Sequence, residues 1–165
     1  MSALAPDDLA ALLEARRTVL PKRLGAPGPG PAELGQILEA AASAPDHGRL
    51  TPWRFIIVPA DSRGRLADVF ERSLVERDAT ATPQQREQAR EKAFRAPLLM
   101  LAIARLGPAD EDIPATERLL SAGCAIQNML LMATALGYGS ALTTGKALPS
   151  DGLRALFALD PTDEP

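Results

Sequence analysis

Four cations, Arg16, Arg17, Lys22 and Arg23, fall within eight residues of the chain with no acid among them. Guanidinium forks match phosphate oxygens with two parallel hydrogen bonds, so such a cluster can clamp a phosphate. Cations closing a helix also offset the negative end of its dipole, and residue types alone leave both readings open. A second group, Ser43-Ala-Pro-Asp-His-Gly-Arg-Leu-Thr-Pro-Trp-Arg-Phe55, contains His47, the single imidazole of the sequence. It runs from a helix end into a strand, and loops held between rigid elements are where ligand-contacting side chains concentrate. Without a paired nucleophile, His47 reads as a structural or ligand-positioning group rather than a general base. The third group is Gly137-Tyr-Gly-Ser-Ala-Leu-Thr-Thr-Gly145. Its glycines and paired hydroxyls can bring N–H and O–H donors close to a planar ligand. It lacks the spacing of a P-loop and the three glycines of a dinucleotide fingerprint.

These groups need elements to position them. Asp7 and Asp8 precede Leu9, Leu12 and Leu13 at helical spacing, so a first helix should run up to Arg16 and Arg17. Four prolines and three glycines between Pro21 and Pro31 make that segment a connecting loop. Pro31 restarts a helix with Leu34, Ile37, Leu38 and Ala41 on one face, stopped by Pro45. Trp53 to Val58 reads as a buried strand, with Trp53 as a core anchor. Gly64 to Val75 and Pro83 to Phe94 read as helices, the second solvated on most faces. Residues 98 to 104, LLMLAIA, suit a strand covered on both sides. Ala115 to Leu136 is the longest helical pattern and is apolar nearly all round. It must be central or lie at a subunit interface, with Gly137 as its left-handed C-cap. Cys124 on this helix reads as a small buried hydrophobe. Gly139 to Thr143 is a third candidate strand, and Ser150 should cap a last helix through Leu156.

The chain has 165 residues, within the size of one domain able to bury a core without staples. One cysteine and one histidine exclude an intramolecular disulfide and a protein-only zinc tetrad, so no metal site is expected. Ala supplies 30 residues and Leu 25, against 10 for Val and Ile together, which predicts a helix-rich chain with a small sheet. The net charge of −3 lacks the basic excess of a nucleic-acid binder. The acidic start reverses the pattern of a secretory signal, so a cytoplasmic location is expected. Leu119 to Gly145 holds no charge, but its Gln127, Asn128 and glycines suit a helix buried in protein better than one in lipid, and no membrane partner is expected. The fold class is α+β: a three-layer sandwich of helices around a small mixed or antiparallel sheet, in one domain over residues 1–165.

The order of the three groups is more informative than any one of them. Arg16-Arg17-Thr18, the "APDHxxxxPWRF" run from Ala44 to Phe55, and Ser121-Ala-Gly-Cys-Ala with the later Gly137–Gly145 run together resemble the FMN-dependent nitroreductase family, in its short single-domain branch. The resemblance implies a homodimer with two FMN molecules at its interface and the long helix lying there. It implies that Arg16 and Arg17 hold the phosphate and polar flavin edge, supported by Thr18. Ser43 and His47 would contact the cofactor, with Arg49 beside them. Thr143, Thr144 and Gly145 would line the phosphate or flavin side. The arginine pair would come from one subunit, and the "APDH" region and the third group from the other. The implied chemistry is a ping-pong cycle in which NAD(P)H passes hydride to the flavin and a nitroaromatic or quinone-like acceptor then takes the electrons. No side chain need act as nucleophile, so no catalytic residue is assigned. The same fold hosts flavin-binding and flavin-modifying relatives without nitroreductase turnover, and a non-catalytic helical dimer is a further alternative. Family members also continue beyond this C-terminus into another strand, so a strand is expected to be missing from the sheet.

Overall fold

The computed structural model describes residues 5–107 and 112–165. Six α-helices run in chain order: α1 (Pro6–Ala15), α2 (Pro31–Ala41), α3 (Arg63–Arg77), α4 (Pro83–Glu91), α5 (Ala115–Ala135) and α6 (Asp151–Leu156). Three strands accompany them: β1 (Trp53–Ile57), β2 (Met100–Arg105) and β3 (Asp163–Glu164). Prolines open α1, α2 and α4, where the missing N–H costs nothing and the fixed φ is already helical. Thr82 and Gln85 cap α4 reciprocally, and the Ser150 hydroxyl accepts from the Leu153 N–H at the start of α6. Helix α5 ends as its sequence demands. Gly137 takes φ 84°, and Tyr138 N–H donates back to the Ala133 carbonyl at 2.8 Å.

The sheet is antiparallel throughout, in the order β1-β2-β3, with Phe55 opposite Ala102 and Ala104 opposite Glu164. Because side chains alternate across a strand, it separates two cores. Trp53, Phe55 and Met100 pack on one side against Ile37, Ala41, Ala125 and Met129 of α2 and α5. Leu99 and Leu101 pack on the other against Leu66, Ala67, Val69 and Leu153 of α3 and α6. The result is the expected α+β three-layer sandwich, with α5 touching α1, α2, β1 and β2. Three charges among the described residues are buried in it with partners, Arg118 through the Ile113 and Leu106 carbonyls. The Arg63 guanidinium donates to the carbonyls of Val58, Ala96 and Pro97, and the Asp163 carboxylate accepts from Arg54 and from the Asp160 N–H.

Two expectations are corrected. The segment 139–143 is not a strand: only Ser140 pairs, through one parallel bridge to Thr18. A Cβ on Gly139 would lie 3.1 Å from the side chains of Val19 and Leu24, so the segment is held by close packing at one point rather than by a ladder. The third strand is instead Asp163–Glu164. Helix α5 is central, as expected, and leaves one side uncovered: Leu119 and Leu120 are 51% and 70% exposed. Cys124 lies on the same uncovered side and is exposed rather than buried. Smaller shifts follow local geometry: the last turn of the Pro83–Phe94 helix tightens to a 3₁₀ turn over Lys92–Phe94, and the second strand starts two residues late.

Candidate functional site

The first and third sequence groups meet. Helix α1 stops at Ala15 because Arg16 is extended, and the chain then runs to Val19, whose N–H donates to the Ser140 carbonyl at 2.9 Å. Thr18 is thereby set beside Ser140. Arg17 donates from one nitrogen, Nη1, to the carbonyls of Glu14 and Arg16, which is the helix-closing role that cations play at a C-terminus. Arg16 is half-buried, while Arg17 and Thr18 are exposed. Lys22 and Arg23 sit in an exposed 3₁₀ turn, Pro21–Arg23. Past Ser140, Thr143, Thr144 and Gly145 form an exposed loop. Arg77 at the end of α3 holds its far end by donating to the Lys146 carbonyl at 2.9 Å.

The turn leading into this segment is anchored from below. Tyr138 O–H donates to the Glu33 carboxylate at 2.7 Å, and the same carboxylate oxygen accepts from Gly30 N–H at 2.8 Å. The Tyr138 bond first, then the Gly30 bond, hold the Glu33 carboxyl below its ordinary pKa. The Glu33 carboxylate in turn pushes the Tyr138 phenol up. Two residues later the order of polar groups breaks off. The Ser140 hydroxyl is buried and has no hydrogen-bond partner among the described residues. An orphaned buried hydroxyl is uncommon enough to call for a reason.

The second sequence group is built differently. The Asp46 carboxylate accepts from the N–H groups of Leu50 at 3.1 Å and Thr51 at 2.8 Å, folding the intervening loop into a tight cap. Gly48, Arg49 and Thr51 all take positive φ, at 69°, 55° and 46°. A Cβ on Gly48 would lie 2.8 Å from Ile113 Cδ1, so both the conformation and the space select glycine there. His47 projects from this loop with Nδ1 2.9 Å from Glu117 Oε1, on the first turn of α5. Around the pair lies a shallow surface depression, lined also by Asp46, Leu50, Pro52 and Ser121. Ser43, just beyond α2, and Arg49 are both exposed.

Among the described residues, then, Arg16, Arg17 and Thr18 share one neighbourhood with the segment leading to Thr143, Thr144 and Gly145. His47 occupies another, whose lining includes none of them. Sequence reasoning missed three participants. Asp46 could have been found, since an aspartate before a glycine-containing turn commonly caps it. Ser140 stood within a quoted group but is marked out only by its burial. Glu117 is 70 residues from His47 and nothing in their spacing pairs them. No cluster of three or more His, Cys, Asp or Glu among the described residues could hold a metal.

Comparison with known proteins gives this arrangement its context. The nitroreductase family profile matches residues 13–165. The chain belongs to the nitroreductase family. A Haemophilus influenzae relative, provisionally named an NAD(P)H nitroreductase, is 35% identical over 136 residues, which cover 82% of this chain and 73% of that protein. The nitroreductase-like family protein of Bacillus cereus shares the fold, with a TM-score of 0.78 at 18% identity over 99% of this chain and 83% of its own. A provisionally named nitroreductase of Desulfovibrio desulfuricans, solved in complex with FMN, matches with a TM-score of 0.67 and 26% identity over 98% of this chain and 83% of its own. Membership makes the chain a member of an oxidoreductase family. No helix among the described residues is long and apolar enough to cross a membrane.

Proposed function

We propose that the protein is an FMN-dependent, NAD(P)H-using oxidoreductase that acts as a homodimer and reduces nitroaromatic or quinone-like acceptors by a ping-pong cycle. The observation that carries the reading is the junction of Thr18 with Ser140. It joins the segment that follows Arg16 and Arg17 to the one that leads to Thr143 and Thr144, beside a buried serine hydroxyl without a partner among the described residues. This donor set fits a phosphate-bearing planar ligand: the charges and hydroxyls suit phosphate and ribityl oxygens, and the serine hydroxyl lacks a partner that such a ligand can supply. Bound FMN supplies hydride chemistry there, drawing on NAD(P)H and delivering to the acceptor.

The roles of the chain's residues follow. Arg16 and Arg17 hold the phosphate and polar edge of the cofactor, Thr18 supports them, and Thr143, Thr144 and Gly145 line the same side from the same chain. That departs from the division the resemblance implies, because the Thr18–Ser140 bridge ties the third group to the arginine pair. Ser43, His47 and Arg49 then face the cofactor from a second copy. A second copy also accounts for the uncovered apolar groups. Helix α1 buries none of its residues, leaving Leu9 and Leu13 44% and 50% exposed, and α5 presents Leu119 and Leu120. The whole of residues 1–165 forms one domain on this reading, acting in the cytoplasm.

The visible spectrum of the purified protein tests the reading. Yellow protein that releases FMN and oxidises NADH or NADPH rapidly only with a nitroaromatic or quinone present is expected. Protein that stays colourless after incubation with FMN contradicts it. Yellow protein without acceptor-dependent turnover would instead favour a flavin-binding relative of different chemistry.

A further inference from the structure

We infer that Glu117 is a positioning residue that fixes His47 in the Nδ1–H tautomer, so that its outward nitrogen, Nε2, meets the bound nucleotide as a hydrogen-bond acceptor. The geometry is direct. His47 Nδ1 lies 2.9 Å from Glu117 Oε1. An ionised carboxylate can only accept, so Nδ1 must carry the proton. A neutral imidazole has one N–H, and Nε2 is left with its lone pair. In the neutral ring, the group that Nε2 recognises is then an N–H or O–H donor of the cofactor rather than a carbonyl or phosphate oxygen. A lone imidazole beside an anionic nucleotide would otherwise suggest the opposite polarity.

Both ends of the pair are held from outside it. Asp46 and the Gly48–Ile113 contact fix the loop that carries His47, and Glu117 is set by the helix that forms the centre of the fold. The other charged neighbours are engaged: Asp46 with the Leu50 and Thr51 N–H groups, Arg118 with the Ile113 carbonyl at 3.2 Å. The His47 and Glu117 side chains are 57% and 43% exposed, so the pair adds little to stability. What it can set is the orientation and protonation pattern of one ring. The same logic governs histidines whose second nitrogen is oriented by a carboxylate.

The inference rests on the reading of His47 as a cofactor-facing residue, but its first half can be measured without the cofactor. The chain has one histidine, so the imidazole resonances of ¹⁵N-histidine-labelled protein report on His47 alone. Long-range proton–nitrogen spectra at about pH 9, where imidazoles are neutral, should show the Nδ1–H pattern in the cofactor-free protein. Glu117→Gln, whose amide oxygen still accepts, should keep that pattern, and Glu117→Ala should lose it. FMN affinity should fall about three- to tenfold in Glu117→Ala and stay near the parent value in Glu117→Gln, the size of one hydrogen bond. A predominant Nε2–H tautomer in the parent protein, or an Ala variant indistinguishable from it, overturns the inference even if FMN binds normally. The expected tautomer in a protein that binds no FMN overturns the ligand half together with the reading of the site.

Discussion

The loop around His47 and the junction of Thr18 with Ser140 solve opposite problems. In the loop, the polar groups are matched internally: Asp46 satisfies two backbone N–H groups, and Glu117 engages the imidazole. Three residues in left-handed conformations, Gly48, Arg49 and Thr51, are tolerated because those contacts over-determine them. At the junction, one serine hydroxyl is buried without a partner and the threonines beyond it face outward. The loop is a finished surface that presents one side chain. The junction is a surface completed by something else, and on the proposed reading that is the cofactor together with the second copy.

The variant expected to have the largest effect removes the distinction by keeping the two halves apart. Leu120→Asp puts a charge on the most exposed large apolar residue of α5. It should convert the proposed dimer to a monomer in sedimentation and reduce FMN affinity by at least about a hundredfold, because an aspartate cannot be desolvated unpaired at an apolar contact. A variant that remains dimeric would mean that another face mediates assembly.

Asp46→Ala attacks the finished half. It withdraws the acceptor of two N–H bonds from a loop held in left-handed geometry, and should cost about 2 kcal/mol in denaturant unfolding. An effect below about 0.5 kcal/mol would show that the loop is held by packing instead.

Ser140→Ala attacks the unfinished half, and the sign should differ. Removing a buried hydroxyl without a partner should leave stability unchanged or raise it by up to about 1 kcal/mol in cofactor-free protein. FMN binding should weaken about fivefold. Lower stability with unchanged FMN affinity would show that the hydroxyl serves the fold rather than a ligand.

Tyr138→Phe has the smallest expected effect and acts on the anchor beneath the junction. The Glu33 carboxyl titrates below its ordinary value, so its contribution is present above the ordinary carboxylate pKa and is lost as pH falls through the lowered one. The Tyr138 phenol is shifted up, so its contribution is present below the ordinary phenol pKa and is lost as pH rises through the raised one. Phenylalanine removes both dependences, apart from the part of the acid one that Gly30 sustains. Urea midpoints should therefore fall less steeply than in the parent between about pH 5 and pH 3. Equal slopes would mean that the bond does not persist in solution.

The sequence made the helices and the first two strands legible because their signals are local: prolines at the starts of α2 and α4, Ser150 before α6, Gly137 after α5. It misplaced the third strand, because Gly139 to Thr143 has the residues of a strand but is clamped at Ser140 by packing against Val19 and Leu24, a contact about 120 residues away in sequence. It overstated the burial of Cys124, since an all-apolar helix does not say which of its faces a partner covers. Of the candidate site, the residue types and their order were visible. Which groups share an edge was not, because it depends on the Thr18–Ser140 bridge and on the His47–Glu117 pair, both of which form across long stretches of chain.

The central claim is that one cofactor site takes its arginines and hydroxyls from one copy and its histidine loop from another. Mixing two defective homodimers tests it directly. Arg17→Glu and His47→Glu proteins should each stay empty at an FMN concentration that saturates the parent. When their subunits are exchanged, every mixed dimer contains one site with both halves intact, and about one FMN per mixed dimer should be recovered by fluorescence titration. No recovery in verified mixed dimers would show that each site is built within a single chain, and would contradict the account.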